Sequence, residues 1–529
     1  MSRLRYPKSS TIFLLLGVLI LLAYYPVFTA DFVSWDDPYH LLTNPHMNPP
    51  TLSAIPFYWT HPFLGLYIPV TYSLWTLVGL AAWAPVGTNG VFELNPFLFH
   101  TANVFVHFLN AAILFLLLRR LTRDRLAAAV GAAFFAIHPT TAEPVSWLSG
   151  FRDLLGTFFT FASLYTYLHF TSANARRWLW YAFSTILYIL AVLSKPASVA
   201  TPLLVATLAI LFLHRPARRT ILLMLPWIAF AIVIALATRT LQPVPAPQNV
   251  PPIYLRPLIA GDCLFFYLSK LFVPLSLAIH YPRTPHLLLS TGLAWKTSLL
   301  PLAAILLILF LRKRWLNTVS LLFLFALLPT LGLIPYAYQT FSTVADRYLY
   351  LALLAPALAI SLLLTRRPPR LVLLIAAILL IPFTILTNLQ SRTWHDTESL
   401  FTHNLQAQPH SSIALNALAN IRLNHDDPVA AESLARAAVL YSEGDPRALR
   451  TLGQSLERQG RWQEAQIPYA QAALNGSPTD AAAAYADLAS LRAEHGFLAD
   501  AQALYQKSLS LNPHQPQALE GLARLHQHQ

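Results

Sequence analysis

The stretch Asp31-Phe32-Val33-Ser34-Trp35-Asp36-Asp37-Pro38-Tyr39-His40 sets two adjacent carboxylates a few residues past an apolar run, and no Lys or Arg occurs between positions 31 and 95. Neighbouring acids repel, so their titrations are coupled. One of Asp36 and Asp37 can then stay ionised as a general base while the other is held by hydrogen bonds or a metal, an arrangement suited to deprotonating a hydroxyl. The competing reading is a helix-capping Asp ahead of a turn at Pro38.

A second cluster runs from His138-Pro139 through Glu143 to Arg152-Asp153 between two apolar runs. Ionisable groups so close to a bilayer core are costly, which marks His138, Glu143, Arg152 and Asp153 as functional candidates. His138 and Glu143 lack the one-turn spacing of a helical zinc pair, and Arg152 with Asp153 can equally form a structural pair. Lys195, in Ser194-Lys195-Pro196, and Arg347, in Ala345-Asp346-Arg347-Tyr348, join Arg239, Arg256 and Arg283 as groups able to converge on a phosphate. Each alone reads as an interfacial anchor. His100, Asn103, His107 and Asn110 recur at three- and four-residue spacings, a polar stripe on one helix face that must meet protein or water. Interhelical hydrogen bonding and substrate or proton handling both fit it. No Gly-rich phosphate loop or Ser-His-Asp constellation occurs, so nucleotide-driven transport has no support.

These residues punctuate a chain of 529 residues that is 56% hydrophobic and 11% charged, with a mean hydropathy of +0.50. So few charges exclude a purely soluble protein. Apolar runs at 11–28, 96–118, 126–143, 152–170, 177–194, 197–213, 220–238, 294–311, 316–334, 346–364 and 371–388 predict eleven membrane helices, the first an uncleaved span. Eighteen basic residues, at Arg3/Arg5/Lys8, Arg119/Arg120/Arg123/Arg125, Arg176/Arg177, Arg215/Arg218/Arg219, Arg312/Lys313/Arg314 and Arg366/Arg367/Arg370, fall on the side of the N-terminus, against nine opposite. The positive-inside bias puts that side in the cytoplasm. It also makes 64–84 and 258–279 re-entrant or interfacial, the alternative being that both cross and a weak span is miscounted. The net charge of +13 is dispersed among apolar runs, so no nucleic acid is expected. The single cysteine, Cys263, excludes a disulfide scaffold and reads as a packed residue.

The last third changes character. Leu418-Ala419, Leu452-Gly453, Leu488-Ala489 and Leu522-Ala523 recur 34, 36 and 34 residues apart, with Ala431, Ala465 and Ala501 in the following helices and Gly460 and Gly496 at turns. This pattern resembles tetratricopeptide repeats, so two domains are expected, a transmembrane one over 1–390 and a repeat domain over 391–529. The predicted fold class is all-α: a polytopic membrane helical bundle followed by an α-solenoid whose groove takes a protein or peptide. By span count the repeats lie outside the cytoplasm with the loop 31–95.

Trp35-Asp36-Asp37, Phe99-His100-Thr101-Ala102-Asn103 with His107, His138 through Asp153, Ser194-Lys195-Pro196, Asp346-Arg347-Tyr348-Leu349-Tyr350 and the terminal repeats, in that order, resemble the transmembrane and tetratricopeptide-repeat O-mannosyltransferases and their bacterial relatives, which have the GT-C glycosyltransferase fold. The resemblance implies a polyprenyl-phosphate-linked sugar as co-substrate and a carboxylate base in the first outer loop. Asp36 or Asp37 would be that base. Arg152 and Arg347 would meet the donor phosphate, with Glu143, Asp153, Lys195, His100 and His138 as further substrate-binding candidates. The implied partners are the lipid-linked sugar, a protein acceptor and membrane lipid, with a divalent metal left open and a bacterial inner membrane as location. A polyprenyl-lipid transporter and a membrane-anchored repeat scaffold are the alternatives.

Overall fold

The computed structural model describes residues 8–86, 91–172, 175–241, 250–442 and 444–527; Arg3 and Arg5 lie outside them. The chain forms two compact units, one of Met1–Ile279 with Arg283–Thr397, the other of His280–Pro282 with Glu398–Gln529.

In the first unit the apolar runs are helical, because a helix satisfies its backbone polar groups internally where no water can do so. α1 (Ser9–Tyr24) runs on as a 3-10 turn to Thr29. α2 (Ala54–Thr60), α3 (Pro69–Ala82) and an antiparallel pair, β1 (Trp83–Val86) and β2 (Val91–Leu94), follow. Asn95 caps α4 (Pro96–Thr122) by accepting from the Phe97 amide, and Arg123 ends it in the left-handed region at φ 58°. Asp124 caps α5 (Arg125–Ile137) through the Leu126 and Ala127 amides. Next come α6 (Ala142–Ser146), α7 (Phe151–Ser172), α8 (Arg177–Ser194), α9 (Thr201–Thr207) and α10 (Ala217–Leu241). α11 (Arg256–Phe272), α12 (Pro285–Ser290), α13 (Leu293–Leu311), α14 (Arg314–Leu327), α15 (Leu349–Ala352), α16 (Leu354–Leu364) and α17 (Pro369–Arg392) complete the unit.

Among the described residues six helices are long and apolar enough to cross a membrane: Ser9–Thr29, α4, α8, α10, α13 and α17. A seventh counts if the pair Asp346–Ala352 and Leu354–Leu364, bent by 47°, is one crossing. The other four of the eleven expected runs are helical as well, but three are shorter apolar helices (α5, Pro196–Phe212 and Arg314–Thr330), and the 22-residue α7 opens on Arg152 and Asp153. The stretches 64–84 and 258–279 hold α3 and α11, of 14 and 17 residues.

Hydrogen bonds gather the basic clusters at one end of these helices. Arg119 donates to Ser9 Oγ, Arg120 to Ser172 Oγ and the Leu168 carbonyl, Arg215 to the Thr171 carbonyl, Arg314 to His214, and the Arg366 amide to Asp124. Cys263 is buried, its thiol 3.5 Å from the Thr343 carbonyl.

The second unit is built of antiparallel helix pairs. α18 (Thr397–Ala407) leads to α19 (Ser412–Asn424) with α20 (Pro428–Tyr441), α21 (Pro446–Arg458) with α22 (Trp462–Asn475), and α23 (Pro478–Glu494) with α24 (Leu498–Leu511), closed by α25 (Pro516–Gln527). Small residues let the helices approach: Ala431, Ala435, Ala465 and Ala501 are fully buried, and a Cβ on Gly453 would lie 2.5 Å from the Tyr469 ring. Gly460 and Gly496 adopt positive φ at the hairpin turns, where Asp426 does so in the first pair. His280 joins this unit, its amide donating to Asn404 and its ring bonding Ser411.

α5 packs tightly against α16, where a Cβ on Gly131 would come within 2.5 Å of the Ala357 carbonyl oxygen. Gly131→Ala should therefore destabilise the protein by about 1–3 kcal/mol through overpacking, read as a lowered thermal midpoint in detergent. An unchanged midpoint would mean that the two helices have room to separate.

Candidate active site

Residues 31–36 form no helix or strand, which lets the two carboxylates point apart. Asp37 is fully buried: its Oδ1 accepts from the Ser149 amide (3.0 Å) and hydroxyl (2.6 Å), and its Oδ2 from the Val33 amide (3.1 Å). It precedes the short helical turn Pro38–Leu42 but makes no capping hydrogen bond to it, so the capping reading fails. Asp36 turns the other way. Its side chain is 34% exposed and its Oδ2 accepts from Arg152 Nη2 at 2.9 Å. The pair lies on the wall of a cleft of about 310 Å³ lined also by Tyr39, His40, Leu64-Gly65-Leu66 and Ala337. His40 is held by a 2.7 Å hydrogen bond between Nδ1 and the Tyr72 hydroxyl, with Tyr72 stacked on Tyr58.

Behind this wall the other charges pair off. Glu143 accepts from the Arg347 amide (2.8 Å) and guanidinium (2.5 Å), and both side chains are buried. Asp153 pairs with Lys195, and Arg283 with Asp262, which also accepts from Thr297 at 2.6 Å. The competing reading, an Arg152–Asp153 pair, gives way to Asp36–Arg152 and Asp153–Lys195, because successive residues on the first turn of α7 point in different directions. The Trp147 ring has Arg152 at 5.3 Å and Arg347 at 5.4 Å, and Arg347 also lies 4.6 Å from the Tyr338 ring.

The α4 stripe serves as scaffold. Asn103 donates to the Val145 and Trp147 carbonyls, His107 bonds Tyr350 and the Ala136 carbonyl, and Asn110 donates to the Leu154 carbonyl and Tyr350. His100 is buried on the same helix, and His138 is buried between Thr140 and the Leu271 carbonyl; neither lines the cleft. Of the cations able to converge, Lys195 and Arg347 both lie against the Tyr348 ring, at 5.7 and 5.0 Å, whereas Arg283 is taken by Asp262, Arg256 donates to the Pro251 and Leu333 carbonyls, and Arg239 sits in the last turn of α10. Among the described residues no group of three or more His, Cys, Asp or Glu is placed to hold a metal ion.

Sequence reasoning missed His40, Tyr72, Ser149, Trp147 and Asp262. His40 and Trp147 were within reach, each being a polar or aromatic residue beside a candidate charge. Ser149 and Tyr72 carry no signal of their own, since their roles depend on partners 112 and 32 residues away.

No family model matches the chain, and no curated protein does. Similar solved structures include the crystal structure of ArnT from Cupriavidus metallidurans bound to undecaprenyl phosphate, at 14% identity and a TM-score of 0.36, covering 89% of this chain and 82% of that one. A likeness that low carries neither fold nor activity across.

Burial pushes the Asp37 carboxyl up to about 7, against the pull of its Ser149 and Val33 hydrogen bonds. Burial, then the charge of Arg152, lowers His40 to about 4, with Asp36 opposing. The two linkages have opposite sign. For Asp37 the stabilising, protonated state is complete below its unfolded value of 3.8 and is lost as pH rises to about 7. For His40 the stabilising, neutral state is complete above 6.5 and is lost as pH falls to about 4. The intact protein should therefore change little in stability between these limits, while His40→Gln should lose stability as pH rises and Asp37→Asn should gain it. Thermal melts across that range check both, and a His40→Gln midpoint that climbs with pH would remove the Asp37 assignment.

Proposed function

We propose that the protein is a membrane glycosyltransferase of GT-C type that moves a hexose, mannose or a related sugar, from a polyprenyl-phosphate donor to protein hydroxyls, with inversion, on the extracytoplasmic side of a bacterial inner membrane. The observation that carries the reading is the Asp36–Arg152 pair on the cleft wall, a partly exposed carboxylate beside a partly exposed guanidinium. Asp36 takes the proton of a Ser or Thr hydroxyl as its oxygen bonds the anomeric carbon, and the bond from that carbon to the phosphate oxygen breaks. The electron pair leaves on the lipid phosphate, whose charge Arg152 meets.

Of Arg152 and Arg347, Arg152 is the better donor ligand. Arg347 is already neutralised by the buried Glu143, and Lys195 by Asp153, so these groups position the wall. A phosphate arriving at Arg152 competes with Asp36 for the guanidinium and frees the carboxylate to act as base. Asp37, fixed by Ser149 and Val33, holds the turn that presents Asp36. Residues 391–529 act as a tetratricopeptide domain whose groove receives the acceptor protein, and the basic helix ends face the cytoplasm.

Incubating purified protein with a panel of prenyl-phosphate sugars identifies the donor by its consumption. Asp36→Asn should lower transfer by about 10²–10⁴-fold, the usual contribution of a positioned base, while the thermal midpoint is kept. Full activity in Asp36→Asn, or no sugar consumed by the intact protein, would sink the reading.

A further inference from the structure

Charge is distributed very differently at the other end of the helices. There Arg119, Arg120, Arg123 and Arg125 close α4 and open α5, Arg176 and Arg177 open α8, and Arg215, Arg218 and Arg219 flank the start of α10. Asp124 is the acid in these segments, and both its oxygens are taken by amides, of Leu126 and Ala127 on one and Arg366 on the other. Among the described residues none of these arginines forms an ion pair. At the cleft end Arg152, Lys195, Arg283 and Arg347 each have a carboxylate.

The unbalanced end also has a shaped corner. Arg120 is fixed by the Leu168 carbonyl and Ser172 while its Nη1 lies 3.2 Å from His169, whose ring stacks on Trp180 at 4.7 Å. Arg215 is fixed by the Thr171 carbonyl, and Arg177 lies 5.6 Å from the ring of Trp178, which is 54% exposed. An exposed indole beside ordered guanidiniums at the ends of apolar helices is what an interfacial headgroup requires: an aromatic anchor at the acyl boundary and cations facing a phosphodiester.

We infer that the corner formed by Arg120, Arg177, Trp178 and Arg215, where α4, α7, α8 and α10 begin or end at the basic pole, is a binding site for the headgroup of an anionic phospholipid. The site is independent of the proposed transfer reaction. It gives the protein a preference for anionic lipid on one leaflet, since arginines without a carboxylate cluster at the basic pole while the four cations around the cleft each have one.

The test titrates the full-length protein in detergent with phosphatidylglycerol, following the thermal midpoint, with phosphatidylcholine and soluble glycerol 3-phosphate in parallel. Phosphatidylglycerol should raise the midpoint, and the other two should not. In Arg120→Gln/Arg215→Gln the lipid needed for half the effect should rise about fivefold per arginine removed, from roughly 1 kcal/mol per basic residue at an anionic surface. Because Arg120 and Arg215 also tie helix ends together, Arg177→Gln/Trp178→Ala, which leaves those bonds intact, should show the same direction. Equal stabilisation by phosphatidylcholine, an equal shift with glycerol 3-phosphate, or an unchanged phosphatidylglycerol response in the second double variant would overturn the site.

Discussion

Glu143 and Arg347 stand 204 residues apart and meet where neither side chain is more than 6% exposed. Two charges in so dry a place hold only because each meets the other, and removal of one partner typically costs about 3–5 kcal/mol. The pair does more than neutralise. One Glu143 oxygen also accepts the Arg347 backbone amide, which fixes the 3-10 turn Asp346–Tyr348 against the irregular segment that carries Trp147. With Arg347 fixed on one side, Trp147 has a fixed position for Arg152 on the other, and through Arg152 the orientation of Asp36 follows.

That segment, 138–150, breaks into short turns among apolar helices, and irregular backbone there is tolerable only if its polar groups find partners. The stripe on α4 supplies part of that need. Asn103 takes the Val145 and Trp147 carbonyls, while His107 and Asn110 take carbonyls from the helices on either side. Asn103 thus holds the loop, while His107 and Asn110 tie α4 to the helices that flank it. Histidine and asparagine do this without bringing a fixed charge into the bundle.

The stripe was legible because its spacing is helical, yet its partners were not, since a backbone carbonyl 42 or 44 residues away leaves no mark in the sequence. The two aspartates were legible as a site for the same kind of reason: adjacent acids with no cation within a long stretch need an explanation. Their division of labour depends on Ser149 and Arg152, which reach them from the next loop. Helix positions followed the apolar runs closely, whereas helix lengths did not. The run 346–364 starts in a 3-10 turn and bends at Leu353, because its first residues answer to Glu143 and not to the helix. In the second unit the Leu-Gly and Ala positions were legible because close approach forbids larger side chains there, as under the Tyr469 ring.

The two ion pairs nearest the cleft differ in what can be done with them. Opening Glu143–Arg347 would strand charge in a buried place, so that pair resists exchange with a ligand. Asp36 and Arg152 retain 34% and 16% exposure, so each can change partner with solvent or ligand at hand. In the proposed reaction an anion entering the cleft would exchange one pairing of Arg152 for another, and the carboxylate released would be the one facing the open volume. The same exchange would have no consequence if Asp37 were the exposed member, because its oxygens are already occupied by amides and a hydroxyl that cannot leave. The order of the two acids, exposed then buried, makes the site responsive to charge.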